Sequence, residues 1–444
     1  MERPDYLSDG APARLFPVLS TVSKEGRTTS IVLASMRIVD EFASALFETI
    51  GLRLGKRSSV HAFTEIVFKS EKNVKNDRPD GLIIINTGQR QWRALIETKI
   101  GKATLSLEQI ERYRDLARLH KIDCVITISN QFATSPQFHP LSAELNRRNT
   151  IPVFHWSWML VRTMVDYLLS NEKVVDRDQA ILLKELSLFL SHESAGVEGF
   201  NKMPKEWSTL SKLVVADGKI SKSSADTKVV VDAWHQETKD LCLILTRKLN
   251  AIVTERLPRK LANSSLEKMK ATINQLSESN SLSMVLDIPD AASPFEVCAD
   301  LKGRSISVGM RLRAPDDKKS SRARLNWLLR QVKTESLSDT YVRFNWPGRS
   351  DPTLAALSEL REKPDLISEG REHLAVHSFE IFKLVKLGAK FGQQAAFIEA
   401  LERIVPAFYE SIGQNLTAYV KKPPKVSVEP NEAADISQEV GELD

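Results

Sequence analysis

Short apolar runs separated by polar turns make up most of the first 170 residues of the chain. Two of these runs, residues 81–86 and 94–100, flank a polar turn at residues 87–90, and this pattern predicts a β-hairpin. Apolar residues at helical spacing over residues 28–54 predict a long helix before the hairpin. Ser106 is a suitable N-cap for a helix that follows the hairpin and ends near residue 120.

Two further runs rich in β-branched residues, 123–129 and 151–156, predict buried strands, and a helix is expected over residues 157–169. Strands that are connected through helices are parallel in most folds. The pattern therefore predicts an α/β fold in which helices flank a mixed sheet.

The second half of the chain has a different pattern. Two amphipathic helices over residues 228–257 and 259–279 predict a helical hairpin, and residues 295–346 have the β-β-α-β order of a small α+β module. A chain of 444 residues is long for a single core. The sequence predicts four parts: a flexible N-terminal arm over residues 1–27, an α/β domain over 28–195, a C-terminal helical and α+β domain over 200–420, and a disordered acidic tail over 421–444.

Composition narrows the class of protein. The chain has no apolar run near the roughly 18 residues of a membrane span and no secretory signal at its start, so the expected location is the cytoplasm. Its three widely spaced cysteines predict neither a disulfide framework nor a zinc site. The net charge of +5 falls in residues 1–170, which hold 23 Lys and Arg against 18 Asp and Glu, and this mild excess suits a polyanionic substrate.

The predicted hairpin carries the candidate chemistry. Glu97 and Lys99 are two residues apart and share one face of a strand, while Thr98 points the opposite way. Asp80, where the first strand begins, can lie beside Glu97. Two converging carboxylates repel each other unless a cation lies between them, and Mg²⁺ prefers oxygen ligands of this kind. An adjacent lysine can orient a water or offset negative charge on a phosphate oxygen.

These residues, Pro79-Asp80 followed by Glu97-Thr98-Lys99, resemble the motif of the PD-(D/E)XK nuclease superfamily. Glu65 stands in the place of an upstream acid that often completes the metal site there. Gln109 and Tyr113 match the Gln-x-x-x-Tyr helix motif of the RecB-like and lambda-exonuclease-like branch. The resemblance covers about 100 residues of the N-terminal domain and implies a restriction-endonuclease-like fold.

The resemblance also implies a chemistry, in which Mg²⁺, with Mn²⁺ as a substitute, supports hydrolysis of phosphodiester bonds in DNA, in DNA repair or in defence against foreign DNA. The implied roles are metal binding by Glu65, Asp80, Glu97 and the backbone carbonyl of Thr98, positioning or activation of the water by Lys99, and positioning of the metal site or the phosphate backbone by Gln109 and Tyr113. Each residue also has a structural alternative: a solvated strand residue for Glu65, an Asp-Gly turn for Asp80, an ion pair with Glu97 for Lys99, and packing for Tyr113.

Other functions stay open at this point. The chain could be a ribonuclease of the same fold, a catalytically silent nucleic-acid-binding or sensor protein, or a nuclease held inactive by its C-terminal domain. The expected partner is DNA, with RNA as the alternative and no membrane. A homodimer or a regulatory partner would bind through the C-terminal domain.

A basic cluster in the second half is the densest in the chain and has an aromatic residue beside it. It could form a phosphate-binding patch, or it could be a solvated helix face whose tryptophan packs inward. Its members are Arg311, Arg313, Lys318, Lys319, Arg322, Arg324 and Trp327.

Overall fold

The structure is a computed structural model, and it describes residues 3–16, 23–69, 78–88, 90–133, 135–141, 144–334 and 338–421. Its strands are Leu7–Pro12 (β1), Ser59–Phe68 (β2), Gly81–Asn86 (β3), Gln91–Thr98 (β4), Cys124–Ser129 (β5), Val153–Ser157 (β6), Thr254–Glu255 (β7), Ser281–Asp287 (β8), Phe295–Asp300 (β9), Ser305–Arg313 (β10), Thr340–Asn345 (β11), Thr353–Ala356 (β12) and Ser378–Lys386 (β13). Its α-helices are Lys24–Ile38 (α1), Asp40–Thr49 (α2), Leu107–Leu119 (α3), Trp158–Ser170 (α4), Arg177–Ser191 (α5), Lys205–Val215 (α6), Ala225–Leu249 (α7), Arg259–Ala262 (α8), Ser265–Ser279 (α9), Ser321–Leu329 (α10), Leu357–Glu362 (α11) and Gln394–Ser411 (α12).

The first six strands form one mixed sheet in the order β1-β2-β3-β4-β5-β6. Strands β1 to β4 are antiparallel, and β5 and β6 run parallel to β4. The predicted hairpin is β3 and β4, in a register that pairs Gly81 with Ile96. The sequence-based prediction of a mixed α/β sheet flanked by helices is therefore confirmed at this level.

Both faces of this sheet are buried. Ile83 and Ile96 pack into a core with α1, α2 and α4, while Leu82 and Leu95 pack on the opposite face against α3. Since successive side chains of a strand point to opposite faces, a sheet covered on both sides requires apolar residues at nearly every position. This explains why the strands read as continuous apolar runs and not as an alternating pattern.

Two predicted boundaries in the N-terminal region are wrong. The arm predicted over residues 1–27 contains β1, which pairs with β2 at the edge of the sheet. The long helix predicted over residues 28–54 is instead two helices, because Val39 has an extended backbone and breaks the run. Asp40 and Glu41 then lie in the first turn of α2, where negative side chains stabilise a helix start.

The second half contains a seven-stranded antiparallel sheet in the order β12-β11-β13-β10-β9-β8-β7. The sequence predicted β9, β10, α10 and β11 but left residues 370–390 undecided between strand and helix. They include β13, which lies in the middle of the sheet between β10 and β11. Gly309 permits this pairing, since a Cβ there would lie 2.5 Å from Phe382 Cβ and 2.6 Å from the Ile381 carbonyl oxygen.

Helix α7 connects the two halves of the molecule. Leu243 packs into the core of the first sheet, whereas Leu241 and Leu245 pack into the core of the second. The segment between the halves is also fixed, because the Phe200 backbone N–H donates to Asp240 Oδ2 at 2.6 Å. The halves therefore share one packed interface through α7.

The predicted acidic tail lies, from residue 422 onward, outside the described residues. Within the part of the chain that the structure describes, no helix combines the length and the apolar character that crossing a membrane requires.

Candidate active site

Asp80 and Glu97 come together where β3 begins and β4 ends. The last pair of the ladder is Gly81 with Ile96, so Asp80 and Glu97 are the next residues along the two strands. Gly81 brings helix α1 close to this point, since a Cβ there would lie 2.8 Å from Leu33 Cδ1 and 3.0 Å from the Phe63 carbonyl oxygen. The close approach explains why residues of α1 take part in the site.

Thr98 and Thr29 hold the Asp80 carboxylate in place. The Thr98 backbone N–H and hydroxyl both donate to Asp80 Oδ2, at 2.7 and 2.8 Å. The Thr29 hydroxyl of α1 lies 2.7 Å from the Thr98 hydroxyl and 2.8 Å from the Glu25 carbonyl oxygen. Thr29 and Thr98 are buried, and this row of hydroxyl groups connects the start of α1 to the carboxylate through direct hydrogen bonds.

Lys99 is the cation of the site. Its ammonium group donates to Glu97 Oε1, to the Thr98 carbonyl oxygen at 2.8 Å and to Glu25 Oε1 at 3.5 Å. The backbone that follows is fixed by the Trp158 indole, which donates to the Lys99 carbonyl oxygen at 2.8 Å. The ammonium therefore lies beside both groups that the sequence assigned to metal binding on β4.

Glu25, and not Glu65, is the third carboxylate near this pair. Glu65 is exposed in a left-handed backbone conformation (φ 54°), and among the described residues its side chain has no hydrogen bond or ion pair with Asp80, Glu97 or Lys99. Only its backbone N–H reaches the site, donating to the Asp80 carbonyl oxygen at 3.2 Å. Glu25 lies in the first turn of α1.

Glu25, which the sequence analysis did not name, follows a recognisable helix-start signal. Ser23 caps α1 by accepting from the Gly26 N–H, so the helix begins before residue 28. An N-cap serine followed by an acid in the first turn is a known start signal of helices. Applied to Ser23 and Glu25, it moves the helix start to the correct place.

The carboxyl groups of the site are held in conditions that favour their neutral forms. Burial, and after it the charge of Asp80, raises the pKa of Glu97 to about 8, although Lys99 opposes this. Burial raises the pKa of Asp80 against the hydrogen bonds from Thr98. Burial and the Asp80 charge raise the pKa of Glu25. Burial alone would lower the pKa of Lys99, but the Glu97 carboxylate beside it raises the pKa above its ordinary value.

Tyr113 and Gln109 hold the backbone just before β3 in place through hydrogen bonds. The Tyr113 hydroxyl donates to the Arg78 carbonyl oxygen at 3.0 Å and accepts from Gln109 Nε2 at 3.1 Å. Tyr113 is buried, and its pKa is raised by burial and by the charge of Glu97, so it remains a hydrogen-bond donor. The pair therefore fixes the backbone two residues before Asp80.

The predicted basic patch of the second half is largely neutralised. Arg311 approaches Glu380 at 4.0 Å, Arg313 contacts Asp316 at 2.7 Å and Arg322 contacts Asp365 at 2.9 Å. Two further cations of the patch are also engaged: Lys318 pairs with Asp317, and Arg324 donates to the carbonyl oxygens of Lys318 and Val376. Trp327 packs partly against the core of the second sheet. Lys319 alone among them is exposed without an ion pair within the described residues.

The oxygen atoms of the site fit a hard cation that takes only a few ligands from the protein. Within the described residues, no group of three or more His, Cys, Asp and Glu side chains is arranged to hold a metal ion. Two carboxylates and a carbonyl remain, and Mg²⁺ commonly binds through one or two carboxylates and keeps several waters. Glu97 Oε2 is buried and has no hydrogen-bond partner among the described residues, which is the state expected of an oxygen that a cation would satisfy.

Comparison with known proteins gives no match: neither a family model, nor a curated protein, nor a solved structure is significantly similar to this chain.

Proposed function

We propose that the chain is a metal-dependent nuclease that hydrolyses phosphodiester bonds, with DNA as its substrate. The observation that carries the proposal is the convergence of Asp80, Glu97, the Thr98 carbonyl and Lys99 at one end of the β3–β4 pair. The resemblance to PD-(D/E)XK nucleases supports it, as does a sheet with an antiparallel hairpin followed by parallel strands. In this proposal the first sheet and its helices are a restriction-endonuclease-like domain.

The proposed roles follow from the contacts. Asp80 and Glu97 would hold Mg²⁺ or Mn²⁺ together with the Thr98 carbonyl, and the cation would supply Lewis-acid activation of the phosphate and of a water. Thr98 and Thr29 orient Asp80. Lys99 offsets negative charge that develops on the phosphate during the reaction.

Glu25 replaces Glu65 in the proposal as the third acidic residue. It lies within 3.5 Å of Lys99 and its side chain is 29% exposed, so it can be reached from solvent. Gln109 and Tyr113 keep the start of β3 in position for Asp80. No role in catalysis is assigned to Glu65.

Cleavage of circular and linear DNA by the purified full-length chain tests the proposal. We expect cutting with Mg²⁺ or Mn²⁺, none with EDTA, and losses of about 100-fold or more in Asp80→Asn and Lys99→Ala. Glu65→Gln is the matched control, because it changes an exposed acid of the same sheet, and it should cut like the unmodified protein.

The result that would overturn the proposal is metal-dependent cutting that Asp80→Asn and Lys99→Ala leave intact, or no cutting of DNA at all. RNA substrates run in parallel separate a ribonuclease from a silent nucleic-acid-binding protein. If Glu65→Gln abolishes cutting and Glu25→Gln does not, the choice of the third acid is reversed.

A further inference from the structure

A second cavity, of about 750 Å³, lies in the C-terminal half and is separate from the proposed active site. Helix α6, the residue before β10 and the start of α12 form its walls. Its polar lining residues include Ser208, Ser211, Lys212, Arg304 and Gln394, and none of the residues that line it is acidic. Binding cavities for small ligands have volumes of roughly 300–1,000 Å³, so this one has room for a nucleotide-sized molecule.

The start of α12, where Gln394 lines this cavity, has unused hydrogen-bond donors. The helix has 18 residues, its N-cap Gln393 makes no side-chain capping bond, and its first turn contains no acidic residue. No described residue accepts a hydrogen bond from the backbone N–H groups of residues 394–396. The first N–H groups of a helix have no partner within the helix and carry partial positive charge, which favours an anion.

Ser211 gives an independent sign of a missing partner. It is 3% exposed and lines the cavity, and its hydroxyl has no hydrogen-bond partner among the described residues. Buried hydroxyl groups are nearly always hydrogen-bonded. Ser208, one turn earlier on α6, already donates to the Gly392 carbonyl oxygen at 2.6 Å and so fixes the loop before α12. Ser211 therefore leaves a hydroxyl at the cavity wall that no described residue uses.

Two cations complete the lining. Lys212 and Arg304 are exposed, and neither forms an ion pair within the part of the chain that the structure describes. This distinguishes them from Arg311, Arg313 and Arg322, whose charges are paired with acids. Unpaired cations beside unused N–H groups and an unpartnered hydroxyl have the donor set of a phosphate site.

We propose that this cavity binds a phosphate group, carried either by a free nucleotide or by a nucleic-acid strand. Lys212, Arg304 and the N–H groups of α12 would contact the phosphate, and the apolar side chains of Val215, Ala216 and Ala389 in the same lining would face the remainder of the ligand. The site does not depend on the metal or on catalysis.

Calorimetric titration of the full-length protein in EDTA tests the proposal with three probes: inorganic phosphate, deoxyadenosine monophosphate and a single-stranded oligonucleotide. We expect at least one probe to bind, and the double variant Lys212→Gln/Arg304→Gln to weaken that binding by about tenfold or more. The matched control, Lys219→Gln/Arg349→Gln, removes the same charge from exposed residues outside the cavity lining.

The probes also separate the two sources of phosphate. Binding of the mononucleotide indicates a free nucleotide, and binding of the oligonucleotide alone indicates a strand. Ser211→Ala serves as a second variant if the double variant fails to fold, and it should weaken binding severalfold. The proposal is overturned if no probe binds, or if the cavity variants bind as tightly as the control. The same titration in Asp80→Asn should be unchanged, so failure of the nuclease proposal would not be confused with failure of this one.

Discussion

Replacing Glu97 with glutamine tests the candidate site without any substrate. The Glu97 side chain is 2% exposed and one of its oxygens has no partner, so its ionised form is stabilised mainly by Lys99. Glutamine has nearly the same shape but cannot ionise. The variant therefore removes the proton equilibrium of Glu97, and with it the charge that the proposed cation would need, while it keeps the packing.

The size of the effect follows from the pKa. Burial and the Asp80 charge raise the pKa of Glu97 from 4.5 to about 8, a difference of about 3.5. At about 1.4 kcal/mol for each pH unit, ionisation of Glu97 in the folded protein costs at most about 5 kcal/mol. The pKa of Glu97 is higher in the folded state than in the unfolded state. The neutral side chain therefore contributes its full stability to the folded protein below pH 4.5, and this contribution is lost as the pH rises towards 8.

Urea unfolding at several pH values measures the effect. We expect Glu97→Gln to lose less stability between pH 5 and pH 8.5 than the control Glu65→Gln, which keeps Glu97 and should behave like the unmodified protein. The unmodified protein should lose several kcal/mol over the same range in EDTA. Excess Mg²⁺ should restore stability at pH 8.5 in the unmodified protein but not in Glu97→Gln, because a ligand stabilises only the state that binds it.

Two results would refute this reasoning. If the unmodified protein and Glu97→Gln depend on pH in the same way, Glu97 is not held in a buried, neutral-favouring environment. If Mg²⁺ stabilises Glu97→Gln as much as the unmodified protein, the cation binds elsewhere.

Three further variants test the surroundings of the site and the interface between the halves. Tyr113→Phe removes the donor to the Arg78 carbonyl and should cost about 1 kcal/mol in urea unfolding together with a loss of cleavage rate. Thr29→Val removes the contact with Thr98 and should raise the Mg²⁺ concentration needed for cleavage by about tenfold or more, measured by metal titration. Burial, with neighbouring carboxylates, raises the pKa of Glu237 well above its ordinary value, so the cost of its ionisation appears as the pH rises; Glu237→Gln should raise the melting temperature more at pH 8 than at pH 5.

Each of these has its own contrary outcome. Unchanged cleavage in Tyr113→Phe would leave the tyrosine a packing residue only. An unchanged metal requirement in Thr29→Val would remove the hydroxyl row from the site. If Glu237→Gln changes the melting temperature equally at pH 5 and pH 8, ionisation of Glu237 does not affect the stability of the folded protein.

The hairpin β3–β4 and the parallel strands β5 and β6 could be predicted from the sequence because local pattern determines them, whereas β1 could not. Continuous apolar runs are required when both faces are buried, and the turn at residues 87–90 sets the hairpin register that places Asp80 beside Glu97. The Gln109 and Tyr113 pair could be foreseen because residues four apart share a helix face. What the pattern left open was the partner of the tyrosine, the Arg78 carbonyl, since that contact joins segments 35 residues apart.

Three features depend on contacts between distant segments that the sequence pattern does not reveal. Glu25 and Glu65 are both acids upstream of the hairpin, and the close approach of α1 over Gly81 brings Glu25, and not Glu65, within 3.5 Å of Lys99. Strand β13 was undecided because its run fits a strand or a helix, and its place between β10 and β11 comes from pairing across distant sequence. The sequence left the basic cluster open between a phosphate-binding patch and a solvated face, since the acids that pair with Arg311 and Arg322, Glu380 and Asp365, lie far along the chain.

A raised carboxyl pKa alone does not define a site, and the contrast between Glu97 and Glu237 shows what does. Both have a buried oxygen without a hydrogen-bond partner, and burial raises both pKa values. Glu237 is 0% exposed inside the packed interface formed by α7, where no substrate can reach it. Glu97 instead adjoins the half-buried Asp80, a backbone carbonyl and the Lys99 ammonium at the ends of two strands. A poorly satisfied carboxylate beside a second carboxylate, a carbonyl and a partly exposed ammonium favours a binding centre, whereas a carboxylate enclosed in a core favours a structural role.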